Sequence, residues 1–207
     1  PASRDAGLLR IDHMVGNVEL GRMNEWADWY NRVLGFERYI SFDDKDISTE
    51  YSALMSIVMS DGSHAIKFPL NEPAGGKRRS QIQEYLDRYH GEGIQHIALG
   101  STDLLKTVDA LRAAGVTLLD TIDTYYELVD RRIPGHGENV AALKQRKILI
   151  DGKAGELLLQ IFSENQLGPI FFEFIQRKGD QGFGEGNFKA LFESIELDQM
   201  RRGVLSK

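Results

Sequence analysis

Apolar residues recur along the chain with two different periods, and the changes of period mark the elements. From Ile11 to Val18 they alternate around His13, the signature of a short strand. The spacing then lengthens: Trp26, Tyr30, Val33 and Leu34 fall at i, i+4, i+7 and i+8, which predicts one face of a helix, and Gly35 stands where a left-handed C-cap closes it. The same layout returns at Ile94 to Leu99, a strand around His96, followed by a helix with Leu104, Val108 and Leu111 on one side and a stop at Gly115. Strand-like runs follow each helix, at Tyr51 to Met59 and His64 to Leu70 in the first half, and at Lys147 to Ile150, Glu156 to Phe162 and Pro169 to Gln176 in the second. Two βαβββ modules in an α+β protein are therefore expected, as an internal repeat.

The connections complete the layout. Ile82, Tyr85, Leu86 and Tyr89 share one helical face within Ser80 to Tyr89, and Asn71 to Gly76 reads as the loop before that helix. A glycine-rich loop, Gly179 to Gly186, precedes a C-terminal helix with Phe188, Leu191, Phe192 and Ile195 at helical spacing and Asn187 as its N-cap. The expected organisation is a first module over 1–79, a connecting helix over 80–91, a second module over 92–178, and the glycine-rich loop with its helix over 179–207.

Composition narrows what this fold could do. In 207 residues, 42% of them hydrophobic, there is enough apolar material for a real core. The net charge of −6 comes from interspersed acids and bases, which leaves no basic footprint for nucleic acid or anionic lipid. No apolar run is long enough to span a membrane, and the polar start PASRDAG lacks the apolar stretch of a signal peptide, so a cytoplasmic enzyme is expected. With no cysteine, any metal must be held by histidine and carboxylate.

Of the five histidines, His13 and His96 hold equivalent places in the repeat. A lone strand histidine is commonly a core residue bonded to a backbone carbonyl, but two related modules would bring these two beside a shared cavity. Glu173 lies in the run PIFFEFIQ, on the face shared by Phe171 and Ile175. A charge there is costly unless a cation or several donors compensate it. Two imidazoles and a carboxylate form the facial set that suits iron(II) and leaves positions open for substrate and oxygen, although manganese, cobalt or zinc would accept the same donors. His64, placed in a strand after the Asp61-Gly62 turn, His90 at a helix end and His136 in a loop read as structural or solvated. The run Gly182-Phe183-Gly184-Glu185-Gly186 lacks the context of a phosphate loop and reads as a hinge or lid.

The segments RIDHMVGNV, PLNEPAGGKRRSQIQEYL, GIQHIAL, LLLQIF, GPIFFEFIQRKG and GFGEGNFKALFESIE together resemble the C-terminal half of the 4-hydroxyphenylpyruvate dioxygenases, over nearly the whole chain. That family belongs to the vicinal oxygen chelate superfamily, so the resemblance implies paired βαβββ modules in a half-open mixed β-barrel. It implies one Fe(II) per chain on His13, His96 and Glu173, with Ser56, Asn71, Gln81 and Gln160 around the polar ends of the substrate. Phe162 and Phe188 would flank the substrate ring, unless they are ordinary core residues, and Gly182, Phe183 and Gly184 would serve gating. The implied reaction converts 4-hydroxyphenylpyruvate and O2 to homogentisate and CO2 in tyrosine catabolism. Hydroxymandelate synthase, with the same substrate and iron site, is the alternative, and a non-catalytic fragment retaining the fold is another. Family members carry two further N-terminal modules, which suggests that an N-terminal half is missing from this chain. Homo-oligomerisation is left open.

Overall fold

The structure is a computed structural model that describes residues 5–42, 54–73, 80–187, 189–191 and 201. In chain order the elements are β1 (Leu8–Asn17), α1 (Met23–Leu34), β2 (Glu37–Phe42), β3 (Leu54–Ser60), β4 (Lys67–Pro73), α2 (Gln81–Tyr89), β5 (Gly93–Ser101), α3 (Leu104–Ala113), α4 (Asp123–Glu127), α5 (Val129–Arg132), α6 (Val140–Arg146), β6 (Leu149–Lys153), β7 (Glu156–Phe162) and β8 (Phe171–Lys178). A strand, a helix and three strands thus occur twice, the second time with α4 to α6 inserted after the long helix.

These elements build two compact units whose residues do not follow chain order. One contains Ile11–Leu99 and Asn165–Glu173. Its strands lie in the order β2-β3-β4-β1, followed by β5 and the start of β8. β2, β3 and β4 are antiparallel neighbours, while β1 runs parallel to β4 with Asn17 opposite Asn71. Because residues alternate between the faces of a sheet, one face carries Met14, Gly16, Ile57, Met59, Phe68 and Leu70. That face packs on Met23 and Ala27 of α1. Gly16 allows the close approach, since a Cβ there would meet the Phe68 ring at 3.2 Å. Helix α1 has no side-chain cap of its own; the buried carboxylate of Glu72 in β4 accepts from Met23 N at 3.0 Å and does that work from 49 residues away. The helix closes on Gly35, whose left-handed φ of 70° lets its N–H donate to Asn31 O.

The other unit contains Gly100–Glu164, Phe174 onward and the residues up to Arg10. Here β8, β7 and β6 lie in that order, and β6 and β7 form an antiparallel pair. Leu104, Val108 and Leu111 of α3 are buried as their spacing predicts. Thr107 of α3 donates to Ala6 O and ties down the start of the chain.

Several expectations are corrected. His64 is not in a strand: it sits at φ 57° in the turn between β3 and β4, where its N–H donates to Asp61 O and the Asp61 carboxylate accepts from Ile66 N. Asn71 is not in a loop, because Asn71 to Pro73 continue β4 opposite Leu54 to Ser56. Lys147 does not begin a strand; it is the left-handed C-cap of α6, held by its ammonium bond to Thr121 O. Val33 and Leu34 belong to the predicted apolar face of α1 but are exposed at its C-terminal end, and the buried residues of the helix are Met23 and Ala27. Asn187 is not an N-cap, because residues 185–187 are already helical. Phe192 and Ile195 of the predicted C-terminal stripe lie outside the described residues.

Candidate metal centre

His13 and His96 come from β1 and β5, and Glu173 from β8. All three are buried and belong to the same compact unit. Both imidazoles aim Nε2 at a single atom: His13 Nε2 and His96 Nε2 each lie 3.2 Å from Glu173 Oε2. One donor atom from each residue falls within 4.8 Å of the others. The rings meet edge to face at 5.6 Å, and Phe171, two residues before Glu173, stacks on the His96 ring at 4.9 Å.

What fixes the rings is the residue before each histidine. His13 Nδ1–H donates to Asp12 Oδ1 at 2.9 Å, and His96 Nδ1–H donates to Gln95 Oε1 at 2.8 Å. With the proton assigned to Nδ1 by these bonds, each Nε2 carries a lone pair. Two lone pairs and a carboxylate oxygen then converge in a buried space, which is repulsive unless a cation lies among them. Metal–ligand bonds of roughly 2.0–2.2 Å meeting near right angles place neighbouring donors about 3 Å apart, close to the observed nitrogen–oxygen separations. The donor set therefore fits a first-row divalent ion.

The electrostatics of the bare side chains make the same point. Burial raises Glu173, yet imidazoles protonated at Nε2 would donate to it from His13 and His96, and this outweighs burial and holds the carboxyl at about 2. Burial lowers His13, but its bonds to Asp12 and Glu173 raise it overall, whereas burial prevails at His96 and lowers it. A proton on His13 supplies positive charge beside Glu173, as a bound cation would.

Other sequence-predicted residues have definite places. Ser56 on β3 is buried and pairs with Asn71 on β4. By strand pairing and alternation both share the sheet face of Asn17 and His13, with Asn17 about 13 Å along β1 from His13 at roughly 3.3 Å per residue. Gln81 is the exposed first residue of α2, whose N-cap is Ser80 accepting from Gln83 N at 3.1 Å. In the other unit, Gln160 is buried on β7 and Phe162 ends that strand half-buried. Gly182, Phe183 and Gly184 lie in the loop after β8, where Arg177 donates to Gly182 O and its guanidinium lies 5.7 Å from the Phe183 ring centroid. Phe188 lies outside the described residues. His136 accepts from Glu138 N and pairs with Asp130, and His90 is the left-handed cap of α2, so neither joins the centre.

Sequence reasoning passed over Asp12 and Gln95, whose position one residue before a candidate ligand was the available signal. It also passed over Asn17, fully buried with neither amide atom bonded among the described residues, an uncommon condition for a native side chain. No helix among the described residues is long and apolar enough to cross a membrane.

Comparison with known proteins gives the family. Residues 10–128 match the family described as the Glyoxalase/Bleomycin resistance protein/Dioxygenase superfamily, and the chain belongs to it. The vicinal oxygen chelate fold of α+β class follows. Within that class the similarity is more particular: the chain is 53% identical to the 4-hydroxyphenylpyruvate dioxygenase of Pseudomonas sp. (strain P.J. 874), covering 97% of this chain and 57% of the relative. It is 46% identical to the enzyme of the same name from Aspergillus fumigatus, covering 96% and 51%. Among solved structures, a triple mutant of 4-hydroxymandelate synthase from Streptomyces coelicolor superposes with a TM-score of 0.78 at 29% identity, covering 96% of this chain and 56% of that one. The chain thus spans little more than half the length of the curated relatives it matches.

Proposed function

We propose that this chain is the catalytic portion of a ferrous dioxygenase that converts 4-hydroxyphenylpyruvate and O2 to homogentisate and CO2. The observation that carries the reading is the convergence of two Nδ1-anchored imidazoles and a buried carboxylate, in a chain about half identical to dioxygenases of that name. His13, His96 and Glu173 would hold the iron, which when bound supplies a Lewis acid for the 2-oxo acid and the electrons that activate oxygen.

The remaining work falls to the chain's own groups. Asp12 and Gln95 hold the two rings in the tautomer that offers Nε2, and Phe171 blocks rotation of His96. Ser56 and Asn71, paired on the sheet face that carries His13, and Gln160, a buried amide on β7, supply polar partners for the two ends of an aryl 2-oxo acid. Gln81 belongs to the same reading at the start of α2. Phe162 and Phe188 would flank the ring of the substrate. Gly182, Phe183 and Gly184 would form the gated approach, which keeps water from the reaction.

The structural likeness to hydroxymandelate synthase supports a second reading, with the same substrate and oxidation at the benzylic carbon. Higher identity to the dioxygenases favours homogentisate. The test has two stages. Ferrous iron and 4-hydroxyphenylpyruvate added anaerobically should give a weak visible charge-transfer band; its absence from intact protein would point to a fold-retaining fragment without catalysis. Oxygen is then admitted and the product identified by mass spectrometry, where homogentisate is expected and hydroxymandelate would overturn the first reading.

A further inference from the structure

Asn17 closes β1 with a side chain that the fold encloses and does not use. It is fully buried, and neither Oδ1 nor Nδ2 has a hydrogen bond among the described residues. Leaving both ends of a buried amide unmet opposes folding, and native side chains seldom bear it without a partner from outside the chain. Leucine has the same branched outline and would fill the place without that penalty.

Strand register shows where this amide stands. Asn17 is opposite Asn71, and Asn71 is opposite Ser56, so a polar row crosses β1, β4 and β3 on the face that carries His13. Two residues away in each strand, on the same face, come Val15, Pro69 and Val58, all buried. Along β1 this face therefore reads candidate ligand, apolar band, polar row, with His13 and Asn17 about 13 Å apart at roughly 3.3 Å per residue. All of these residues belong to one compact unit. A molecule chelated at the centre and lying along the face would rest its middle on the band and bring its far end to Asn17.

The chemistry of that far end follows from what the amide lacks. Oδ1 can only accept, so its partner must donate. The carboxylate and keto oxygens of a 2-oxo acid only accept, and in the proposed reaction they belong to the iron; the donor that 4-hydroxyphenylpyruvate has left is its ring hydroxyl. We infer that Asn17 is a specificity-determining residue that selects a hydroxyl at the far end of the aryl 2-oxo acid. This rests on the proposed function and adds to it the group that is read. An analogue without the hydroxyl would occupy the band but leave the amide unmet and shut away from water, which is how a polar site rejects a ligand lacking one such group.

The first test needs neither metal nor substrate. Urea unfolding of the full chain carrying Asn17→Leu should show a midpoint equal to or above that of the unaltered protein, because an unmet amide has been replaced by an apolar group of its shape. A lower midpoint would overturn the inference by showing that the amide holds the fold, as would failure of both Asn17→Leu and Asn17→Ala to fold. The second test is calorimetry of the ferrous, anaerobic protein with 4-hydroxyphenylpyruvate and with phenylpyruvate, which lacks the hydroxyl. The unaltered chain should bind the hydroxylated acid at least tenfold more tightly, and Asn17→Leu or Asn17→Ala should cut that ratio below threefold, chiefly by weakening the hydroxylated ligand. An unchanged ratio, or equal weakening of both ligands, would overturn the inference. Equal affinity of the unaltered chain for the two acids would sink this inference alone, whereas binding of neither would sink the proposed function and this inference with it.

Discussion

Alanine at Gly184 is the perturbation whose cost the structure separates most cleanly. Two effects add. At φ 79° an L-residue loses roughly 1–2 kcal/mol to the left-handed backbone alone. The new Cβ would also stand 1.8 Å from Gln160 Oε1, far inside contact, so the amide must leave. Its bond from Asn187 is then lost, at about 1 kcal/mol net, and burial of the released groups makes that a lower figure. The expected loss is about 2–4 kcal/mol. Gly21→Ala is the internal control: its φ is 82°, but nothing lies within 4 Å of an added Cβ, so it reports backbone strain alone. Urea unfolding of the two variants beside the unaltered protein gives the comparison, read as midpoints at constant slope. Gly184→Ala should be destabilised by at least 1 kcal/mol more than Gly21→Ala. Equal midpoints would refute the steric part of the reasoning, the clash of the new Cβ with Gln160.

Four further outcomes are expected. Glu173→Ala should fail to retain ferrous iron through anaerobic desalting while His64→Ala retains it, by metal analysis of the desalted protein; the His64 ring bonds to Ser60 within a surface turn. Asp12→Ala should weaken iron affinity roughly 10–100-fold by freeing the His13 ring. The pH dependence follows with a definite sign: His13 is raised above 6.5, so its proton stabilises the metal-free fold below that value, and the benefit disappears as pH rises through the raised one. Iron needs the neutral ring, so affinity falls as pH drops through the raised value, and Asp12→Ala should shift that fall to lower pH in a competition titration. Ser80→Ala removes the cap on Gln83 N and should cost about 1 kcal/mol in urea unfolding, with iron content unchanged.

The three candidate ligands were legible for physical reasons. His13 and His96 sit in matching strand-then-helix segments, and a carboxylate between phenylalanines is too costly to be incidental. The glycine stop of α1 was equally plain. Other elements left weak traces. β2 is a partly exposed strand of sequence ERYISF, with a register shift between Arg38 and Ile40 that blurs its alternation. Helices α4, α5 and α6 have five, four and seven residues, too few for a period of 3.6 to declare itself. Asn71, Glu72 and Pro73 have the composition of a turn, yet pairing with β3 keeps them extended, a tertiary effect that no local pattern records. The Nδ1 partners depend on side-chain directions, which spacing alone cannot supply.

The discontinuous make-up of the first unit has a consequence for biosynthesis. Its core could begin to assemble as soon as the stretch ending at Leu99 has emerged from the ribosome, with both imidazoles in hand, but the carboxylate arrives only with Glu173, some seventy residues later. Until then a nascent chain offers an incomplete, weaker binding place, and translation at about 5–20 residues per second keeps it so for several seconds. Tight capture of an ion at the proposed centre would thereby wait for the segment that carries Glu173, so the metal would secure chains in which both parts of this unit have been made.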